Sequence, residues 1–210
     1  MKKIRMIKSI LSVFIITLLT SGCMQGLRWA TDSELQDAYK REAYEYWSKK
    51  ETKYLIRHFK AKAAPKSDSF FFARPVKDRI DFKVILSILS NRLEDEGVLE
   101  CLVETAKNPH TDSNAGYIIP VIALYYDKGI DVSSYFIDLY KTPEAYESLL
   151  KYYIVKVLNE KKIRIPELAP YIKEELERKK TSVSSKGAIN LRSIYDDSIE
   201  YLKFMGETID

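Results

Sequence analysis

The chain has 210 residues, with 34 Lys and Arg against 30 Asp and Glu. Its formal charge of +4 is carried by the first 22 residues, where Lys2, Lys3, Arg5 and Lys8 stand without an acid. Setting those four aside leaves equal numbers of basic and acidic side chains, so charge supplies no argument for nucleic acid. Only 2 Cys and 7 Gly are present, beside 15 Tyr. That composition excludes a disulfide scaffold and favours helices over a turn-rich β fold.

The basic head is followed by an apolar run from Ile10 to Leu19, broken only by Ser12 and Thr17. The run is shorter than the roughly 20 residues of a membrane span. Charged, apolar and small-residue regions in that order make a secretory signal. Leu19-Thr20-Ser21-Gly22-Cys23 resembles the lipobox of bacterial lipoproteins. The resemblance implies that Cys23 is acylated and becomes the first mature residue. It also implies a bilayer as partner and the cell envelope as location. Met24 after the Cys resembles the outer-membrane sorting pattern, facing the periplasm or the cell surface, if the source has two membranes. An ordinary signal cut near Gly22 would instead leave Cys23 a free thiol, and a retained N-terminal anchor is a further alternative. The expected organisation is a signal over residues 1–22, a lipidated tether over 23–31 and a helical domain over 32–210.

The first helix is capped by Asp32 or Ser33 and reaches Lys62, with Leu35, Ala38, Tyr39, Tyr46 and Trp47 at core spacing. Ser48-Lys49-Lys50-Glu51 matches a capping box and predicts a break near Ser48. Residues 64–79 are irregular, with Pro65, Pro75 and the run Phe70-Phe71-Phe72. Helical spacing resumes at Asp81 through Leu93, with Gly97 as stop, and continues from Val98 to Ala106. A polar loop is expected over 108–116. An apolar helix follows from Ile118 to Asp127, with Pro120 in its first turn.

Val132–Tyr140 is a short helix capped by Ser133 or Ser134. Thr142 caps the next, with Pro143 in first position, and that helix runs to about Asn159. It is expected to bury Tyr146, Leu149, Leu150, Tyr153, Ile154 and Val157. Pro166 opens a helix to Lys180, residues 181–187 form a linker, and the last helix spans Ala188 to Met205. The fold class is therefore all-α: about eight helices with short connections, an irregular array of antiparallel hairpins compatible with an α-solenoid-like stack. No internal repeat is evident.

Catalytic signatures are missing. Cys101 lies in an apolar stretch with no base beside it, so it reads as core packing. His58 and His110 are the only histidines, too few for a zinc site, and no cofactor or metal is expected. The segment 108–116 gathers His110 and Asp112 between apolar helices, a place where binding residues occur, although its Asn, Ser and Gly also suit turns. Charge asymmetry is the second signal. Residues 40–66 hold nine basic side chains against three acids, interleaved with Tyr44, Tyr46, Trp47, Tyr54 and Phe59. Lys49, Lys50, Lys53 and Arg57 are the candidate contacts for anionic headgroups or an acidic partner. A solvated helix face is the alternative. The C-terminal stretch 196–210 is acidic, with Lys203 as its one base. The expectation is a non-enzymatic envelope lipoprotein, an interaction scaffold or an assembly or immunity factor with a protein partner. The alternative is an envelope hydrolase or polymer-binding protein with a cleft near 108–116.

Overall fold

A computed structural model of the chain describes residues 33–63, 76–108, 112–142, 147–182 and 188–208. Every element among them is helical. In chain order they are α1 (Ser33–Ser48), α2 (Thr52–Ala63), α3 (Val76–Leu89), α4 (Val98–Lys107) and α5 (Asp112–Asp127). Then come α6 (Ser133–Tyr140), α7 (Glu147–Lys161), a 3-10 turn (Pro166–Leu168), α8 (Ala169–Ser182) and α9 (Ala188–Met205).

The main packing partners lie one or two elements apart. Helix α1 packs on α3, α2 on α3 and α4, α4 on α5 and α6, α5 and α6 on α7, and α7 and α8 on α9. Such a progression builds the molecule as a stack, each layer burying the apolar stripe of the one before. At its N-terminal end Phe59 and Phe82 stack with centroids 4.9 Å apart. Ile118, Ile119 and Ile122 of α5 are fully buried mid-stack, and Tyr201 and Leu202 of α9 close the other end.

Several boundaries differ from the sequence reading. The break after α1 falls where expected, but Ser48 ends that helix instead of capping the next: its hydroxyl donates back to the Glu45 carbonyl at 3.3 Å. The first bonds of α2 run to the Glu51 carbonyl. Helix α3 begins at Val76, earlier than Asp81, and ends at Leu89. Gly97 is therefore no stop. It sits at the N-terminal cap of α4 with φ of 78°, a left-handed conformation that glycine adopts without strain. Cys101 N–H donates to its carbonyl at 3.1 Å.

The polar segment 108–116 is not a loop throughout, because α5 starts at Asp112 and already buries Asn114 and Ala115. Pro120 consequently lies inside α5 and not in its first turn. It withholds the N–H that the Gly116 carbonyl would otherwise accept. No serine caps α6: Val132 stands at its N-terminal cap, and just before it Asp131 Oδ1 accepts from the Ser133 N–H at 2.9 Å. That bond holds the Asp131 carboxyl below the usual carboxylate range. Leu149 is exposed, while Val155 and Leu158 take core positions in its helix. The Phe70–Phe72 run, Pro143 and Tyr146 lie outside the described residues.

Candidate functional site

The first helical hairpin and α3 share a buried charged cluster. Asp81 is 5% exposed. Its Oδ1 accepts from the Trp47 indole N–H and from the Tyr39 hydroxyl, each at 3.1 Å. Its Oδ2 lies 2.9 Å from Lys62 Nζ, and the same ammonium donates to Asp78. One carboxylate thus ties α1, α2 and α3 together. A buried ion pair is tolerated when its remaining lone pairs are satisfied, as they are here. Burial works against the Lys62 charge, but its bonds to Asp78 and Asp81 outweigh that and hold its pKa above the ordinary lysine value. Burial first, then the Asp81 charge, push the Tyr39 hydroxyl up to about 12.

Trp47 also anchors an aromatic cluster that reaches the surface. Tyr46 meets its ring edge-on at 4.9 Å, and His58 lies 5.2 Å from Trp47 and 4.3 Å from Tyr54. Burial, followed by the neighbouring Arg57 and Lys62, lowers the His58 pKa and favours the neutral imidazole. On the solvent side Lys50 Nζ sits 4.3 Å from the Tyr46 centroid and 5.7 Å from that of Tyr54. The Arg57 guanidinium sits 5.2 Å over Tyr54. A cation over a ring face is held by the ring's quadrupole without losing its charge. The corner between α1 and α2 therefore presents cations on an aromatic platform.

The structure divides the basic residues of segment 40–66 by use. Lys60 pairs with Glu104, Lys62 with Asp78 and Asp81, and Lys49 with Glu45 at 2.9 Å. Lys50, Lys53 and Arg57 make no ion pair among the described residues, and Lys53 and Arg57 are exposed. Lys40 and Arg41 are likewise exposed and unpaired among them, but they line a different surface. Tyr46 and Tyr44 explain the division: two helical positions apart, they point about 200° from each other around the α1 axis.

Cys23 and His110 lie outside the described residues, and so does the side chain of Asp112, so no His110–Asp112 pair is on view. Cys101 is 2% exposed, and burial pushes its thiol up, away from the thiolate a nucleophile requires. The described residues contain no cluster of His, Cys, Asp and Glu fit to hold a metal. None of their helices is long and apolar enough to cross a membrane.

The cluster residues Asp78 and Asp81 escaped the sequence reading. Their signal was an acid pair at i and i+3 on a face that also carries Phe82, Ile85 and Leu89. Arg92 escaped too. It lies 40 to 44 residues from the turn it binds, beyond the reach of any local pattern. Comparison of the chain with protein-family models, curated proteins and solved structures returned no match.

Proposed function

We propose that this chain is an envelope lipoprotein, anchored through acylated Cys23, whose α1–α2 corner binds the acidic face of an envelope protein. The observation that carries the reading is the Lys50–Tyr46–Tyr54–Arg57 arrangement. It holds cationic charge in place without a carboxylate to neutralise it among the described residues, and Lys53 adds an exposed cation that makes no ion pair among them. Aromatic and Arg side chains are the types that dominate binding hot spots. The corner begins only 25 residues after Cys23. Anchoring would keep it close to the membrane and raise the effective concentration of a weak second contact. Acylation is supported by the lipobox residues, and two or more acyl chains would explain a stable anchor. The protein acts here as a scaffold, through recognition and not through catalysis.

Metabolic labelling with a fatty-acid probe tests the anchor: the wild type should be labelled and membrane-bound, and Cys23→Ser should be neither. An unlabelled, soluble wild type would sink the anchor. Cross-linked capture from envelopes tests the corner. A partner should be retained at low salt, released as salt rises, and lost from a Lys50→Gln, Lys53→Gln, Arg57→Gln variant. Screening over about 10 Å at 0.1 M salt makes that dependence diagnostic of exposed charge. Equal capture by variant and wild type would reject the corner. Binding to anionic vesicles without any protein partner would move the contact to the lipid surface.

A further inference from the structure

We propose that the open groove between α1 and α3, on the flank of α1 opposite the Tyr46 corner, binds a carboxylate-bearing glycan chain. The groove encloses about 800 Å³, within the range of small-ligand sites. Along α1, Asp37, Arg41 and Glu45 line it as one row at four-residue spacing, about 6 Å per step. Lys40, Tyr44 and Ser48 form a second row beside them, and α3 contributes Lys83 and Ser87.

Each part of this lining argues for the same class of ligand. Arg41 and Lys40 are exposed and make no ion pair among the described residues, although acids stand one turn from Arg41 on both sides. Lys83 Nζ rests 4.4 Å from the Tyr117 ring centroid, which positions the ammonium and leaves it charged. Three cations thus face the groove. Glu45 is already engaged by Lys49, so Asp37 is the one acid there without a cationic partner among the described residues. An isolated carboxylate suits the planar fork of Arg41, which can grip it through two parallel bonds.

The acids argue against a dense polyphosphate, which Asp37 and Glu45 would repel, and in favour of a chain whose charges are spaced by hydroxyls. Asp37, Ser48 and Ser87 can exchange hydrogen bonds with such hydroxyls. Tyr44 is 48% exposed and offers a ring face to the apolar side of a sugar. An apolar peptide is disfavoured, because Val84 is the one aliphatic residue in the lining, and grooves that dock peptide helices supply several such anchors. The site is independent of the anchor at Cys23 and of the α1–α2 corner.

The test is titration of the full chain in detergent with a short oligogalacturonate, a neutral chito-oligosaccharide and poly-glutamate. Oligogalacturonate should bind and weaken with salt. Arg41→Gln and Tyr44→Ala should each weaken it about tenfold, the scale of one charge-assisted bond or one lost ring contact. Lys128→Gln, a charge change remote from the groove, should leave it unchanged. Both groove side chains are exposed, so helix content should be unaltered, which circular dichroism checks. No binding of oligogalacturonate, or binding indifferent to Arg41→Gln, would overturn the proposal. Equal binding of the neutral glycan would remove the carboxylate from it, and equal, Arg41-dependent binding of poly-glutamate would remove the sugar. Loss on Lys50→Gln would move the ligand to the corner and overturn the groove assignment.

Discussion

Arg92 and Ser48 are 44 residues apart in the chain, and the Arg92 guanidinium donates through Nη2 to the Ser48 carbonyl at 2.8 Å. Its Nη1 donates to the Lys50 carbonyl at 2.7 Å and to the Thr52 hydroxyl at 3.3 Å. The last carbonyls of a helix have no partner within it. One side chain from the loop after α3 supplies what α1 lacks and fixes the turn into α2. Arg92→Ala should cost about 1.5–3 kcal/mol, the scale of hydrogen bonds to a charged group. Arg92→Lys should recover only part, since an ammonium cannot span two carbonyls as a fork does. Chemical denaturation with an unchanged m-value checks this. A loss below about 0.5 kcal/mol, the range of ordinary surface changes, would mean that water replaces the fork.

Asp81 holds α1, α2 and α3 at one point, so its removal strands more than its own bonds. Asp81→Ala removes the carboxylate that accepts from the Trp47 indole and the Tyr39 hydroxyl, and leaves Lys62 paired with Asp78 among the described residues. Breaking a buried pair costs about 3–5 kcal/mol. The retained Asp78 contact should bring the loss to the low end. Asp81→Asn keeps an acceptor for Trp47 and should be milder. Melting temperatures of the two variants, with tryptophan fluorescence to report the indole environment, decide it. Equal losses would show that the charge, and not the acceptor, holds the cluster.

Gly116 sets the distance between α5 and α7. A Cβ placed there would lie 2.7 Å from Tyr153 Cζ and 2.8 Å from its Cε1. Gly116→Ala gains about 1 kcal/mol of helix propensity against about 1–3 kcal/mol of overpacking, for a net loss of up to roughly 2 kcal/mol. With Tyr153→Ala in place the clash is gone, and Gly116→Ala should become stabilising. A double-mutant cycle by denaturation reads the sign. The same sign in both backgrounds would reject the close-approach argument.

Lys162 is the one described non-glycine residue with positive φ, at 53°. It ends α7, where the Ile163 N–H reaches back to the Leu158 carbonyl at 2.9 Å. A left-handed conformation costs an L-residue roughly 1–2 kcal/mol, and glycine's larger unfolded-state entropy returns about 0.4–1 kcal/mol of that. Lys162→Gly should therefore stabilise by about 0.5–1 kcal/mol. Thermal unfolding would show a raised midpoint, and a lowered one would mean that the Lys162 contact with Asn159 matters more than the backbone.

Three tyrosines impose an alkaline limit. Burial, the largest cause in each, pushes Tyr39, Tyr125 and Tyr201 from 10.0 up to about 12. Tyr201 is fully buried. Its hydroxyl donates to the Ile163 carbonyl at 3.0 Å and accepts from the Ile165 N–H at 3.1 Å. A folded pKa above the unfolded one means that the folded chain holds the proton longer. The stability from the neutral phenol is full below pH 10 and is lost between about pH 10 and 12. For Tyr201 the loss is on the order of 2 kcal/mol. Denaturation midpoints should fall over that window, and Tyr201→Phe, already weaker at neutral pH, should show a shallower fall. A profile flat to pH 12 would contradict it.

Local chemistry determined much of this protein. Apolar spacing of three and four residues placed the helices α4, α6 and α9 within a residue or two, because a helix's buried stripe is written in its own sequence. The same reasoning placed Cys101 in the core, since Leu102 and Val103 share its environment. The tertiary structure decided the rest. Which lysines are ion-paired among the described residues depends on which helix lies opposite: Lys62 meets Asp78 and Asp81, Lys60 meets Glu104, and Lys50 lies over the rings of Tyr46 and Tyr54. No pattern within α2 predicts the pairing of Lys60 and Lys62, because their partners lie 16 to 44 residues away. The start of α5 was hidden for a related reason. Asp112, Ser113, Asn114 and Gly116 favour turns locally, but burial of Asn114 and Ala115 and the contact of Gly116 with Tyr153 come only when α5 packs on its neighbours. Packing against another helix outweighs turn propensities of a few tenths of a kcal/mol each.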